Sequence, residues 1–424
     1  MLNVYIKTFG CALNQSDSEM MAGILEKEGY TIISDEKKAD VVIINSCTVK
    51  NEAENKLYKE IRRHKDKKVI VAGCVAQAEK KLKDTKLKDY SIIGVSQISK
   101  IGFIVKQTLS GKRIILLDNE KKCINLPKIR KNKHVGIIPI SEGCLGACTY
   151  CKTKHARGEL MSYKKKEIIY EIKKALKDDA KEIWITSQDT GAYGLDINED
   201  LPSLLYDVLK IEGNFMVRLG MLNPNFGVRY LDDLKKLLMH KKMFRFIHLP
   251  VQSGSDKILK DMGRKYTGKE FLRLVKTLKK DVFDLTFATD VIIGFPGETK
   301  EDFESTLTLV KKLKPDILNM SRFWKRPKTP AANMKQIDSK IIKERSIILR
   351  ELFHKIAFEK NKKWIGWKGS AVIDGKGKDD TLTARNYAYK LIIIKDEGQK
   401  IGDKINIKVN SATKWDLRAE VVKN

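Results

Sequence analysis

The stretch VGIIPISEGCLGACTYC, residues 135–151, joins an apolar segment typical of a buried strand to three closely spaced cysteines. Cys144, Cys148 and Cys151 follow the pattern C-x3-C-x2-C, which places three thiolates on one short loop. Three thiolates hold three corners of a [4Fe–4S] cluster and leave one iron open, whereas electron-transfer clusters take four cysteines. An open iron predicts a site that chelates S-adenosylmethionine. The alternative is a zinc knuckle, but structural zinc needs four ligands, and only His155 follows at knuckle spacing.

The composition indicates a packed, strongly basic protein. The 424 residues carry a formal net charge of +29, and such an excess costs self-repulsion in the folded state. A polyanionic partner is therefore expected, with nucleic acid as the first candidate, although a general lysine bias as in many thermophiles would also raise the charge. The sequence has no secretory signal and no run of about 18 apolar residues, so it predicts a soluble cytoplasmic protein with no membrane segment.

The first 112 residues alternate short β-rich segments with helical ones. The strand candidates are LNVYIKT, VVIIN, KKVIVAG and SIIGV, and helical periodicity lies near residues 16–28, 52–65 and 98–110. This alternation predicts a doubly wound parallel α/β domain over residues 1–112. Residues 113–129 are predicted to form a polar, basic linker.

A second βα series is predicted over residues 130–358. Its six strand candidates are VGIIPIS, EIWITS, FMVRLGM, FRFIHLPV, TFATDVIIGF and DILNMSRF. Six βα units predict a partial (β/α)6 barrel with its chemistry at the carboxyl ends of the strands. Residues 359–424 then contain five short strand candidates, which predict a small OB-like β-barrel, a frequent nucleic-acid-binding scaffold.

Three further cysteines, Cys11, Cys47 and Cys74, each follow the carboxyl end of a predicted parallel strand. In an open α/β sheet these ends share one edge, where ligands bind, so the three thiols are expected to converge. They would then hold a second cluster with its own open iron. The alternative is three unrelated buried cysteines, because free cysteine is often buried. Cys123 matches neither set and is interpreted as structural or incidental.

The chain resembles the radical S-adenosylmethionine methylthiotransferases over essentially its whole length. The stretches that carry the resemblance are FGCALNQSDSE, INSCTVKNEAE, VAGCVAQA, SEGCLGACTYC, HLPVQSGSD and DVIIGFPGET. The C-terminal barrel is similar to a TRAM domain, a small RNA-binding module. Within the family, CKTKHARG and SQDTGAYG resemble the archaeal and eukaryotic branch that acts on tRNA.

The resemblance implies conversion of N6-threonylcarbamoyladenosine, next to the tRNA anticodon, into its 2-methylthio derivative. It implies two [4Fe–4S] clusters and two molecules of S-adenosylmethionine per turnover, one to methylate a held sulfur and one to be cleaved to a 5′-deoxyadenosyl radical. The expected partners are tRNA, an external electron donor and a sulfur donor, with no DNA and no membrane.

Other polar residues at the predicted active edge are candidates for binding the cofactor. Tyr150 lies between two motif cysteines, and Gly294 and Gly297 would let the backbone approach a ligand closely. The remaining cofactor-binding candidates follow or lie within barrel strands: Gln188, Asp189, Gln252, Ser253 and Asp290. His155 and Arg157 are candidates for touching cofactor or substrate. For each of these, a purely structural contact is the alternative.

Two other functions remain open from the residues. One keeps the enzyme but changes its substrate to isopentenyl-adenosine in tRNA or to a ribosomal protein; the CKTKHARG stretch disfavours it. The other is a non-catalytic RNA-binding iron–sulfur redox sensor, which leaves the barrel motifs without a purpose. The aromatic residues considered for base stacking in the C-terminal segment are Trp364, Trp367, Tyr387, Tyr389 and Trp415.

Overall fold

The computed structural model describes residues 2–48, 51–78, 86–118, 120 and 123–422, and it begins with a parallel α/β domain. The strands of this domain are β1 (Asn3–Phe9), β2 (Thr31–Ile32), β3 (Val41–Ser46), β4 (Lys68–Gly73), β5 (Ser91–Ile93) and β6 (Ile115–Leu116). They form one parallel sheet in the order β2-β1-β3-β4-β5-β6. The helices are α1 (Ala12–Lys27), α2 (Asn51–Arg63), α3 (Cys74–Ala78) and α4 (Ile101–Leu109).

Helices cover both faces of this sheet because its central strands are apolar on both sides. In β3, Val41 and Ile43 enter one hydrophobic core, whereas Val42 and Ile44 enter the other. This is the doubly wound arrangement that the sequence predicts. The sheet is longer than expected, since β6 lies inside residues 113–129, the stretch predicted as a linker. A two-residue edge strand leaves too weak a pattern to read from sequence.

The second domain is a partial barrel of six parallel strands. These strands are β7 (Val135–Pro139), β10 (Glu182–Thr186), β11 (Met216–Leu219), β12 (Phe246–His248), β13 (Thr286–Ile293) and β14 (Ile317–Arg322); a short hairpin pairs β8 (Ser141–Glu142) with β9 (Met161–Ser162). The order is β7-β10-β11 in one half and β12-β13-β14 in the other. All six predicted barrel strands are confirmed.

Nine helices accompany these strands in the part of the chain from residue 123 to residue 422. They are α5 (Thr153–Arg157), α6 (Lys165–Lys177), α7 (Leu201–Lys210), α8 (Pro224–Arg229), α9 (Leu231–Leu238), α10 (Asp256–Asp261), α11 (Gly268–Asp281), α12 (Lys300–Leu313) and α13 (Ser339–Lys362). Several begin with a side-chain cap; Thr267, for example, accepts a hydrogen bond from Glu270 N while the Glu270 carboxylate accepts one from Thr267 N. Long α13 packs on β14 and leads to the third domain.

The C-terminal domain is a closed five-stranded barrel. Its strands are β15 (Lys368–Lys376), β16 (Thr381–Arg385), β17 (Leu391–Lys395), β18 (Lys404–Ala412) and β19 (Leu417–Val421), in the order β15-β16-β17-β19-β18 with β18 paired back to β15. The predicted OB-like barrel is thereby confirmed. None of the helices in the described ranges has both the length and the apolar character needed to cross a bilayer.

The C-terminal barrel sits on the amino-terminal ends of the central strands, away from their carboxyl edge. Phe246, the first residue of β12, and Phe244 pack against the ring of Tyr389, with ring centroids 5.1 and 4.8 Å apart. The Arg218 guanidinium lies over Phe246 and Tyr389, 4.9 and 5.2 Å from the ring centroids. Arg245 N donates to the carbonyl oxygen of Tyr387 at 2.8 Å. The two domains are thus joined by a packed aromatic contact.

Replacing Phe246 by Ala should weaken this contact, because the side chain is 2% exposed and a cavity would remain. We expect a cost of about 3–5 kcal/mol, seen as a lower midpoint of thermal unfolding and as faster proteolytic release of the C-terminal barrel. The control is Phe103→Ala on α4, since Phe103 is 52% exposed and its loss should cost less than about 0.5 kcal/mol. Equal losses of stability in the two variants would contradict the conclusion that Phe246 helps to join the central and C-terminal barrels.

Candidate active site

Cys11, Cys47 and Cys74 lie together at the carboxyl edge of the N-terminal sheet. The parallel register aligns Phe9 of β1 with Ser46 of β3, and Ser46 with Gly73 of β4, so each cysteine follows its strand at the same level. Cys11 caps the start of α1, and Cys74 is the first residue of α3. The structure therefore brings together the three thiols that the sequence placed at strand ends.

The surroundings of this first trio stabilise thiolates. Hydrogen bonding with Cys47 lowers the pKa of Cys74 to about 6 and that of Cys11 to about 7, and it raises the pKa of Cys47 itself. The Arg157 guanidinium adds to the lowering for both cysteines. Asn14 contacts two members, since Cys11 Sγ lies 3.3 Å from its Oδ1 and its amide donates to Cys74 Sγ at 3.9 Å. Thiolates are the form in which cysteine binds iron.

Cys144, Cys148 and Cys151 lie on the loop between β8 and α5, at the carboxyl edge of the barrel. Gly146 N donates to Cys144 Sγ at 3.2 Å, and Arg264 Nη1 donates to Cys148 Sγ at 3.4 Å. Burial raises the pKa of Cys144 to about 11. Thr149, the residue after Cys148, anchors the loop, because its Oγ1 donates a hydrogen bond to the carbonyl oxygen of Asp261 at 2.7 Å.

Arg157 links the two cysteine sets through a buried fork of hydrogen bonds. It ends α5, which starts two residues after Cys151, and its side chain is 1% exposed. Nη2 donates to Asp17 Oδ2 at 2.8 Å, Nη1 to Glu142 Oε2 at 2.7 Å and Nε to Cys74 Sγ at 3.3 Å. One side chain of the barrel domain thus holds a thiol and a carboxylate of the N-terminal domain.

A second guanidinium lies between the cysteine sets. Arg326, 6% exposed in the loop after β14, interacts electrostatically with both Cys47 and Cys151, and its Nη1 lies 3.6 Å from Glu54 Oε2. The two trios therefore border one common region that contains the guanidinium groups of Arg157 and Arg326. The donor sets fit two cubane clusters, because each offers three soft thiolate ligands together with N–H groups directed at sulfur.

The candidates after the strand EIWITS also lie near the second trio. Asp189 is buried; it accepts hydrogen bonds from Gly191 N at 3.1 Å and Asn223 N at 3.0 Å, and it interacts electrostatically with Cys144. Burial raises its pKa to about 6. Among the described residues, Gln188 Oε1 and Ser187 Oγ are buried without a hydrogen-bond partner. Unpaired buried oxygens beside the cluster loop suit a polar ligand such as S-adenosylmethionine.

The other cofactor candidates differ in how far their side chains are already engaged in contacts within the protein. Tyr150 packs edge-on against Phe295 at 6.4 Å, next to the cluster loop. Asp290 hydrogen-bonds His248 Nε2 and accepts from Asn319 Nδ2, both at 2.8 Å. Ser253 is fully buried, and its hydroxyl oxygen accepts from Ser255 N at 3.2 Å, so this side chain fixes its own loop. Gln252 adopts φ +73° and pairs through its backbone with β13.

The glycine turn after β13 also serves the fold. Gly294 has φ +74°, and a Cβ there would lie 2.4 Å from the Ile342 side chain on α13. Its N–H donates to Glu298 Oε2 at 3.0 Å, and Glu298 pairs with Arg345 of α13 at 2.6 Å. Gly297 has φ +84° with open space around its Cβ position. The turn therefore connects the active edge to α13.

The remaining sequence candidates fall outside this site. His155 is exposed on α5, and Cys123 is an exposed free thiol. Trp364 and Tyr389 are core residues at 8% and 7% exposure, so they are not available for base stacking; small barrels use such aromatics for packing. Trp415, 59% exposed, keeps an accessible ring.

Asn14, Arg264 and Arg326 contact or approach the cysteines and were not among the sequence candidates. Asn14 carried a detectable signal, because it lies three residues after Cys11 at the start of a helix and so shares its face. The two arginines carried no such signal, because the chain has 83 Lys and Arg residues and nothing in the sequence distinguishes these two from the others.

Comparison with known proteins agrees with this architecture. The model of an uncharacterized protein family, UPF0004, matches residues 3–94, that of the radical SAM superfamily matches residues 138–310, and that of the TRAM domain matches residues 371–422. A probable threonylcarbamoyladenosine tRNA methylthiotransferase of Pyrococcus horikoshii is 40% identical, covering 100% of both chains. The threonylcarbamoyladenosine tRNA methylthiotransferases of Xenopus laevis and Homo sapiens are 41% and 40% identical over 99% of this chain and 77% and 74% of theirs.

The chain belongs to the threonylcarbamoyladenosine tRNA methylthiotransferase family. The predicted resemblance is thus confirmed, including the archaeal and eukaryotic branch. As a radical SAM protein, this methylthiotransferase uses a [4Fe–4S] cluster and S-adenosylmethionine.

Solved structures agree on the fold alone. The methyltransferase TsrM from Kitasatospora setae is 14% identical, with a TM-score of 0.55 over 78% of this chain and 75% of its own. The cobalamin-dependent S-adenosylmethionine radical enzyme OxsB is 12% identical, with a TM-score of 0.52 over 81% of this chain and 56% of its own.

Replacing Arg157 by Lys should keep the positive charge but lose the three-way fork, and with it the N–H directed at Cys74. We expect less iron retained at the first trio and a lower reduction potential there, because hydrogen bonds to cluster sulfurs raise the potential. Iron analysis and a redox titration followed by EPR measure both. Arg157→Met should also destabilise the protein by about 3–5 kcal/mol, because two buried carboxylates lose their cation.

The matched control is Arg130→Lys, since the Arg130 side chain is 7% exposed and pairs at 2.7 Å with Asp178, a half-exposed carboxylate rather than a cysteine. Arg130→Lys should leave iron content and potential unchanged. Normal iron content together with an unshifted potential in Arg157→Lys would show that the fork does not act on the first trio.

Proposed function

We propose that this protein converts N6-threonylcarbamoyladenosine, on the 3′ side of the tRNA anticodon, into its 2-methylthio derivative. The observation that carries the proposal is the pair of three-cysteine sets bordering one region, with Arg157 joining the loop of one set to Cys74 of the other. The relatives that match the whole chain bear the corresponding name. Sulfur insertion at an unactivated C–H bond needs both a radical source and a sulfur carrier, and two separate clusters would serve these two roles.

In this proposal the second trio, Cys144, Cys148 and Cys151, holds the cluster that binds S-adenosylmethionine. When bound there, such a cluster would supply the electron for reductive cleavage of S-adenosylmethionine to a 5′-deoxyadenosyl radical. Arg264 and Gly146 stabilise the thiolates from the protein side. Gln188 offers an unpaired buried oxygen to the cofactor's polar groups. The other proposed cofactor contacts are Tyr150, Asp189, Gln252, Ser253, Asp290 and Gly294, and the Ser253 hydroxyl also accepts a hydrogen bond from Ser255 N.

The first trio, Cys11, Cys47 and Cys74, would hold the auxiliary cluster and the sulfur to be delivered. Two of its thiols are held in a buried, hydrogen-bonded setting, with Cys47 and Cys74 4% and 2% exposed. Cys11 is the exposed member of this trio, and Arg326 interacts electrostatically with Cys47. Two molecules of S-adenosylmethionine per turnover, an external electron donor and a sulfur donor complete the proposal, which we assign to the cytoplasm.

Replacing either trio by Ala should abolish the 2-methylthio nucleoside, while the remaining trio still binds iron. We expect about eight irons per chain in the anaerobically reconstituted wild type and about four in each triple variant. Mass spectrometry of tRNA nucleosides and iron analysis measure the two effects. The control is Cys123→Ala, which should change neither. Undiminished tRNA modification in either triple variant would refute the proposal.

A second measurement separates this function from the two alternatives. Anaerobic incubation with dithionite and S-adenosylmethionine should yield 5′-deoxyadenosine from the wild type and from the variant lacking the first trio, but not from the variant lacking the second. A redox sensor would yield none. If the methylthio-threonylcarbamoyl nucleoside persists in a deletion strain, the substrate assignment is wrong, and the isopentenyl nucleoside or a ribosomal protein becomes the candidate.

A further inference from the structure

A cavity of about 300 Å³ lies where the floor of the central barrel, the end of α13 and the C-terminal barrel meet. This cavity, here called the seam pocket, is distinct from the cysteine site, because it borders the amino-terminal ends of β13 and β14. Its charged and aromatic lining consists of Lys279, Asp316, Lys360, Lys363, Trp364, Trp367 and Lys390, with Asp284 in the loop before β13.

The seam pocket contains more positive than negative charge. The side chain of Asp316 is 3% exposed and accepts hydrogen bonds from Lys390 Nζ at 2.6 Å and from Lys360 Nζ at 2.5 Å. The other carboxylate, Asp284, is on the exposed side and accepts from the Tyr387 hydroxyl at 2.6 Å. Four lysines therefore face one buried and one exposed carboxylate.

Lys279 lies in the most crowded part of this cation group. Its ammonium donates to the carbonyl oxygens of Leu313 and Lys314 at 2.6 and 3.0 Å, and it lies within hydrogen-bond reach of the Lys360 ammonium. Burial, followed by repulsion from Lys360 and Lys390, lowers the pKa of Lys279 to about 7. Asp316 offsets only part of the repulsion among these ammonium groups, and a second anion beside them would relieve more of it.

We propose that the seam pocket binds a backbone phosphate of the substrate tRNA. Phosphate suits a group of converging ammonium donors, and the half-buried Trp367 ring beside it offers a face for sugar or base. The net charge of +29 and the placement beside a TRAM domain favour RNA over a free anion. This inference rests on the proposed function, since it specifies how that substrate is held.

The position of the pocket agrees with a substrate as long as a tRNA arm. Strand β14 runs from Ile317, next to Asp316, to Arg322, just before the loop that carries Arg326 near both cysteine sets. Six strand residues span about 20 Å. A phosphate in the seam pocket would therefore belong to a part of the RNA well removed from the reacting adenine.

The test measures tRNA binding by the reconstituted full-length protein at several salt concentrations. Lys279→Met with Lys363→Met should weaken binding about tenfold at physiological salt and reduce the slope of log Kd against log salt by about one to two. Lys363→Glu alone, at an exposed position, should also weaken binding, because its carboxylate would repel phosphate. Formation of 5′-deoxyadenosine without tRNA should stay at the wild-type rate, which shows that the fold and the cysteine site are intact.

The matched control is Lys173→Met with Lys210→Met, in a surface cleft that has the same count of four lysines and two carboxylates but is lined by α6, α7 and the two residues after α7. Its tRNA affinity and salt slope should match those of the wild type. Wild-type tRNA binding in all seam-pocket variants would overturn the inference. The inference would also fail if inorganic phosphate bound in the seam pocket without affecting tRNA binding. Failure of the wild type itself to modify tRNA would instead refute the proposed function.

Discussion

The buried guanidinium of Arg157 is the contact on which the arrangement of the cysteine site depends. A buried cation is costly unless it is paired and hydrogen-bonded, and each nitrogen of the Arg157 guanidinium has a partner: Asp17 and Cys74 from one domain and Glu142 from its own. These partners hold the pKa of Arg157 above its ordinary value. Because the fork is planar and its three acceptors are fixed, the two domains meet in one register.

That single register has a chemical consequence. The helix that ends with Arg157 starts just after Cys151, and the same side chain bonds Cys74, so the two trios cannot shift independently. Radical chemistry requires the hydrogen-bearing carbon and the incoming sulfur to be held at a fixed separation. Further contacts reinforce this geometry: Ile129 N donates to the Glu19 carbonyl oxygen, and Lys128 pairs with buried Glu171 at 2.7 Å.

The cysteine site of the N-terminal domain could be predicted from the sequence because each of its thiols follows the carboxyl end of a strand. Parallel strands such as β3 and β4 are apolar throughout, so their register is restricted, and Cys47 and Cys74 must share an edge. Arginines such as Arg264 and Arg326 escaped prediction because tertiary packing alone decides which cations of a basic chain turn inward. The same limit applies to Tyr389, a stacking candidate that lies in the contact with Phe244.

The molecule separates two tasks along the direction of its strands. The carboxyl edges of both sheets carry the thiols, and the amino-terminal edge of the central barrel carries the TRAM domain. Phe246, at the start of β12, belongs to the domain contact, whereas Gln252, shortly after the strand, approaches the active edge. A rigid strand layer thus sets the distance between the two edges. A small substrate would gain nothing from this spacing; a folded RNA can contact both edges at once, which agrees with a strongly basic chain.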